Sequence, residues 1–341
     1  MGWRRWALVG PFVVYLRSCD PHLYSEPIGT DVADNTDTMA ERLHSIELRD
    51  RVRSLAAGAS VEISPADTPH LASARDLLDQ GREISITWLP KDSVEARIEA
   101  AVQVRRAGFE PAPHIAARFL RSREELRGFL AGVTQQAGAR RILLIGGDRP
   151  DPAGPFHSGL EVLQTGLIEA SGVEAVGLAL HPEAHPQVEE ALLAQAFADK
   201  ADYLAKAGLK AFAVTQLCFD SNDISRSILD LRRSARDMPV RVGLAGPTSV
   251  AALARFAVRC GVGASTRMLT SRTGSLAKLL TDAGPDPIIR DLAEHADLKA
   301  LEPLGLHIFP FGGLLKTCRF LHALSEGRFH ISAEGGGLDV A

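Results

Sequence analysis

Cysteine is scarce in this chain of 341 residues: Cys19, Cys218, Cys260 and Cys318 are the four, and no two stand in a C-x-x-C spacing. That scatter speaks against a disulfide framework and a structural zinc site. It reads as reduced thiols in a cytoplasmic protein, with Cys218 and Cys260 partly buried. Long runs of one charge are also missing. The 38 basic and 42 acidic residues leave a net charge of -4, and the pairs Arg105-Arg106, Arg140-Arg141 and Arg232-Arg233 are isolated. A nucleic-acid partner needs a concentrated basic face, so it is not expected. Trp6 to Leu16 is too short to span a bilayer, and no other segment reads as a membrane span. Gly261-Val262-Gly263-Ala264-Ser265-Thr266 breaks the G-x-G-x-x-G pattern, and neither a P-loop nor a G-x-S-x-G elbow occurs. A nicotinamide nucleotide, if used, is not held by a Rossmann domain.

The N-terminus resembles a short secretory signal, with Arg4-Arg5 ahead of the apolar stretch. Arg17-Ser18-Cys19-Asp20 follows it, without a small-x-small cleavage site. From there to Ala40 the chain is polar and rich in Pro, Asp and Thr, a composition of disorder. Residues 1–45 are therefore read as a disordered extension, ahead of a true start at Met39. Residues 46–328 are read as one catalytic domain and 329–341 as a flexible tail around Glu334-Gly335-Gly336-Gly337.

What is present is a rhythm. Eight short apolar runs recur: Ser60–Ser64, Glu83–Trp88, Pro113–Ala116, Arg141–Asp148, Ala175–His181, Ala211–Gln216, Val240–Ala245 and Leu304–Phe309. A segment of helical character follows each. Eight strand–helix repeats predict a (β/α)8 barrel, with the chemistry at the C-terminal strand ends. The expected helices are Thr68 to Gln80, Asp92 or Ser93 to Arg106, Ser122 to Gly138 from a capping box with Glu125, then 158–170, 187–207, 223–236 and 248–260. An extra helix, Ser271 to Asp282, and a last one, Gly313 to Leu324, complete the list.

The strand ends put Glu62, Thr87, His114, Asp148, His181 and Gln216 on one rim. Glu62 sits in an apolar strand, where burial raises a carboxyl pKa and suits a general acid; a strand-end salt bridge is the other reading. Asp148 follows Gly146-Gly147, which lets a ligand ring approach the backbone, although Gly-Gly-Asp-Arg-Pro is also good turn chemistry. His181 and His185 have the i, i+4 spacing of a metal pair, but Pro182 and Pro186 break the helix that would present both, so no metal is expected. Gln216 offers a donor and an acceptor to the edge of a heterocycle; taken alone it equally fits a barrel-layer glutamine bonded to its neighbours. His114 reads either as a ligand contact or as a satisfied core histidine.

Together these motifs resemble the methylenetetrahydrofolate reductase family over roughly residues 55–325. Val61-Glu62-Ile63-Ser64-Pro65 is similar to its Glu-Phe-Phe-Pro-Pro, Ser85-Ile86-Thr87-Trp88 to its Val-Thr-Tyr, and Pro113-His114 to its Pro-His-Leu-Thr. Gly147-Asp148-Arg149-Pro150 resembles its Gly-Asp-x-Pro, His181-Pro182-Glu183-Ala184-His185-Pro186 its Tyr-Pro-Glu-x-His-Pro, and Val214-Thr215-Gln216-Leu217-Cys218-Phe219-Asp220 its Ile-Thr-Gln-x-x-Phe-Asp. The resemblance implies a non-covalent FAD that takes hydride from NADH or NADPH and passes it to the methylene group of a folate. It implies Glu62 as the acid that generates the iminium form, and Asp148 near flavin and pterin as a second catalytic residue. It implies Gln216, with Asp148, on the folate, and Thr87, His114, Gly147, Asp148, His181 and His185 around the flavin. A possible homo-oligomer, no nucleic acid and no membrane complete the expectation.

The chain departs from the family pattern at Gly146, where Arg or another large residue is common, and at His181, where the family has Tyr. It departs again at Asp202-Tyr203-Leu204-Ala205-Lys206, where a basic Leu-Lys-x-Lys is usual, and at Gly243–Thr248 in place of Pro-Gly-Ile-x-Pro. These positions bear on FAD phosphate and adenine contacts. The alternative readings are a folate-binding barrel without flavin, as a flavin-independent reductase or a methyltransferase-like enzyme, and a non-catalytic barrel that retains the rim.

Overall fold

Eight parallel strands close on themselves in the order β1-β8-β7-β6-β5-β4-β3-β2. They are β1 Ser60–Ile63, β2 Glu83–Ile86, β3 Glu110–Ala116, β4 Arg141–Ile145, β5 Ala175–Leu180, β6 Lys210–Thr215, β7 Val240–Ala245 and β8 Leu304–Phe309. The computed structural model describes residues 31–183, 185, 188–253, 282–295, 297–332 and 337–340. The expected (β/α)8 barrel is the fold. Its strands are short, mostly apolar and almost wholly buried, as strands covered on both faces must be. Closure is made by β1 against β8, with Ser60 opposite His307 and Val61 opposite Ile308.

Helix α1 is Asp31–Ala57; the part from His44 on opens the barrel's outer layer, with Leu48, Val52 and Ala56 buried at helical spacing. The chain divides into Met1–Leu43 and a compact unit from His44 to Ala341. Helix thus begins well inside the segment read as a disordered extension. After β1 the expected helix from Thr68 is instead a 3-10 segment, Pro65–His70, and a short helix, Leu71–Ala74. Ser64 and Asp67 form the capping box there, so the chain turns helical ahead of Thr68, and Pro69 lies inside the 3-10 segment.

Further on, α2 is Val94–Arg106, capped by Ser93, and α3 is Arg123–Ala131, capped by Ser122, with a π-helical turn Gly132–Gln136 after it. The expected helix over 158–170 shrinks to Gly159–Leu163 and a 3-10 turn at Glu169–Ser171. Gly166, at positive φ, interrupts it, and Gly172, also at positive φ, ends the turn. Helices α4 Glu190–Lys206, α5 Ser221–Arg232, α6 Asp286–Ala293 and α7 Leu314–Ser325 follow. Of the expected helix over 248–260, residues 248–253 are described: Thr248–Ser249 are instead a short strand paired antiparallel with Asp282–Ala283, and helix begins only at residue 250. Ser271 to Asp282 lies almost wholly outside the described residues. Cys218 and Cys318 are buried free thiols; Cys260 is also outside. No helix among the described residues is long and apolar enough to cross a membrane.

The segment read as a flexible tail pairs with itself. Strands β9 Phe329–Ile331 and β10 Leu338–Val340 form an antiparallel ladder. Phe329 and Leu338 are buried, Arg49 lies over the Phe329 ring at 4.9 Å, and Asp286 accepts from the Leu338 amide at 3.1 Å.

Candidate active site

Ser60 and Glu62 are two residues apart in β1 and so share one face of the strand. That face is the barrel interior, where β8 supplies His307 and β3 supplies His114. Oε2 of Glu62 lies 3.4 Å from Nε2 of His114 and 3.5 Å from Nε2 of His307. The other ring nitrogen of His307 stands 2.9 Å from Ser60 Oγ, which is itself 3.2 Å from the Leu306 carbonyl. The hydroxyl has one proton. If it goes to Leu306, Nδ1 of His307 must donate to Oγ; if it goes to Nδ1, Nε2 carries the hydrogen. In the second case Nε2 donates to the carboxylate. In the first, a bare lone pair would face a carboxylate unless one more proton sits between them. The tautomer with hydrogen on Nε2 is the one that lets neutral His307 donate to the Glu62 carboxylate.

Glu62, His114 and His307 form the floor of a cavity of about 260 Å³ at the C-terminal end of the strands, with Ser60 behind His307. Thr87, His181 and Gln216 open into it, and its apolar wall includes Trp88, Ile145, Phe309 and Phe311. Glu62, Thr87, His114, His181 and Gln216 are thus brought together by five strands or strand ends. Trp88 is held from behind. The Arg97 guanidinium stacks 3.8 Å over its ring, Phe129 meets it edge-on at 5.2 Å, and Arg97 is tied to the carbonyls of Leu89 and Asp92. Thr87 Oγ1 is buried without a hydrogen-bond partner, and His114 Nε2 has only the 3.4 Å contact with Glu62. In a mostly apolar chamber an unsatisfied hydroxyl costs stability unless a ligand satisfies it.

Burial alone would raise the carboxyl pKa of Glu62, as the sequence reading expects. The hydrogen bond from His307 and the nearby charges of His114 and His307 outweigh it, and the net shift is downward. The resting group is a carboxylate, and it becomes an acid only by receiving a proton. Burial depresses His114 to about 4 despite the attraction of Glu62, so its imidazole is neutral near pH 7. Burial, then the charges of His185 and Lys200, takes His181 to about 4 as well.

Asp148 stands apart. It is exposed, three residues beyond Ile145, and is not one of the residues lining the cavity. Gly147 holds φ at +90° beside it. His185 packs edge-on against His181 with ring centroids 5.5 Å apart. Among the described residues, no group of three or more His, Cys, Asp or Glu is placed to hold a metal. Sequence reasoning missed Ser60, His307, Trp88, Phe309 and Phe311. A signal for His307 existed: like Glu62, it is an ionisable residue inside an apolar strand.

Residues 54–273 match the family model described as methylenetetrahydrofolate reductase. Among solved structures, the chain is similar to a sialic acid aldolase from Ruminococcus gnavus, at 12% identity and a TM-score of 0.36. That likeness covers 60% of this chain and 66% of the aldolase, so the chain spans just under two thirds of the structure it matches.

Proposed function

Because the chain belongs to the methylenetetrahydrofolate reductase family, we propose that it reduces 5,10-methylenetetrahydrofolate to 5-methyltetrahydrofolate at the expense of NADH or NADPH, through FAD. The observation that carries this reading is the Glu62 carboxylate between two histidines, on the floor of a chamber whose Thr87 Oγ1 lacks a partner. Apolar walls with a few convergent polar atoms suit a flat heterocycle with donors and acceptors on its edge.

The residues present fit a flavin. Thr87, His114, His181 and His185 would hold it. When bound, the flavin supplies the hydride chemistry, which no side chain offers. The chain's own residues manage position and protons. Gln216 orients the pterin edge, while Trp88 and the Phe309–Phe311 stack wall the ring in. Glu62 takes the proton it shares with His307 and delivers it to N10 of the folate, opening the five-membered ring to the reactive iminium. Ser60 holds the His307 ring in register for that transfer. Asp148 reaches the pterin from the rim.

A second reading, the same rim binding a folate without flavin, is favoured by one observation. Where the family carries its basic pattern, Lys206 is engaged with Asp202 at 2.6 Å, and position 146 is Gly. The visible spectrum of the purified protein separates the two, because a bound flavin colours it yellow. The mechanism is tested by Glu62→Gln. We expect nucleotide oxidation with an artificial acceptor to survive while folate reduction falls by about 10²–10⁴-fold, the range of acid catalysis. Equal loss in both half-reactions by stopped flow would make Glu62 structural; no loss in either would remove it from the mechanism.

A further inference from the structure

Arg118 lies in the 3-10 turn Ala117–Phe119 just past β3, and its side chain crosses to the segment that follows β4. Nε donates to the Arg149 carbonyl at 2.6 Å, one terminal nitrogen to the His157 carbonyl at 3.2 Å, and the other to the Pro150 carbonyl. The backbone repeats the connection. Arg118 N donates to Gly146 O at 2.9 Å, and Ala153 N donates to Arg118 O at 2.8 Å. One half-buried residue thus makes five hydrogen bonds along 146–157. Among the described residues no carboxylate pairs with it, so its donors go to loop carbonyls.

The neighbouring contacts are equally close. A Cβ on Gly147 would stand 3.0 Å from the Phe119 ring, and one on Gly154 would stand 2.2 Å from the Arg121 carbonyl. The Arg149 guanidinium sits 5.7 Å over Phe119. The segment also contains Pro150, Pro152 and Pro155, which have no N–H to build a ladder of their own. Its order is therefore borrowed from residues 118–121. A planar fork of five donors suits several carbonyls at once, as an ammonium group does not.

This segment carries Asp148, exposed three residues beyond Ile145 of the cavity wall. We propose that Arg118 is a positioning residue: it straps the segment after β4 and thereby fixes where Asp148 stands beside the cavity. The proposal rests on the reading that this cavity takes a folate. A displacement of about 1 Å in a contacting group can cost on the order of 10²-fold in rate, so the strap acts on the reaction without touching the reactants.

The test uses full-length wild type, Arg118→Ala, Arg118→Lys, Asp148→Asn and the double variant Arg118→Ala/Asp148→Asn. Hydrogen exchange across 146–157, kcat and KM for methylenetetrahydrofolate, and thermal midpoints are measured on each. Arg118→Ala should raise loop exchange about tenfold or more and lower kcat/KM roughly 10–100-fold with little change in midpoint. Arg118→Lys should recover only part of this. The double variant should be no worse than Asp148→Asn, because a misplaced group that is already removed cannot be missed. An unchanged kcat/KM in Arg118→Ala, or a full additional loss on top of Asp148→Asn, overturns the proposal. A wild type that neither reduces nor binds the folate defeats the functional reading itself. Faster loop exchange in Arg118→Ala would then leave Arg118 a structural strap only.

Discussion

Nε2 of His307 stands 3.5 Å from Oε2 of Glu62, although 245 residues separate them in the chain. The pair exists because β1 and β8 close the barrel side by side. His307 opposes burial and holds the Glu62 carboxyl below its ordinary range. With His307→Leu, burial prevails and the Glu62 pKa rises. An acid works only while protonated, so the high-pH limb of the kcat/KM profile for folate reduction should move upward. An unmoved limb would disconnect the two residues.

Acidification should destabilise the protein through its neutral histidines. His114 and His181 take up protons near 6.5 when unfolded but only near 4 when folded. Between those values the unfolded chain binds more protons, so stability falls as pH drops from about 6.5 to about 4. Each histidine contributes on the order of 1 kcal/mol per pH unit in that window. The depressed Glu62 adds its loss as pH falls through its folded pKa. Urea denaturation at pH 7 and pH 5 checks this, and His114→Asn should flatten the dependence.

At the N-terminal end of the barrel, Glu83 accepts from Arg141 at 2.9 Å and from both terminal nitrogens of Arg241, one at 2.9 Å, while Arg241 stacks over Phe212 at 4.7 Å. Glu83→Gln leaves Arg241 with a poorly compensated charge and should cost roughly 3 kcal/mol. Ligand affinity should stay near wild type, since this face of a barrel serves stability. Calorimetry and a folate titration test both halves.

The C-terminal ladder should be structural. Phe329 is 1% exposed, and Phe329→Ala should cost about 3–5 kcal/mol. Ending the chain at Arg328 should lower the thermal midpoint by several degrees. A midpoint unchanged by truncation would return the tail to the role of a loose end.

Much of this protein is legible in its order of residues. Buried parallel strands need apolar runs, so the runs from Ser60 to Phe309 announce a barrel. Strand direction then puts Thr87, His114, His181 and Gln216 at one end. Local chemistry also caps α2 at Ser93 and α3 at Ser122, since a hydroxyl before a helix finds its free amides within three residues.

Other features have no local cause. Whether Glu62 is raised or lowered in pKa depends on two histidines delivered by β3 and β8, not on its own strand. The segment after β4 leans on residues past β3, since Arg118 donates to its carbonyls and Phe119 packs against Gly147. Phe329 is buried because Arg49 and α7 stand where its strand returns. Periodicity and capping act over a few residues and are written in the sequence. Which strand ends meet, and so which proton sits between which two atoms, is decided only when the eighth strand closes on the first.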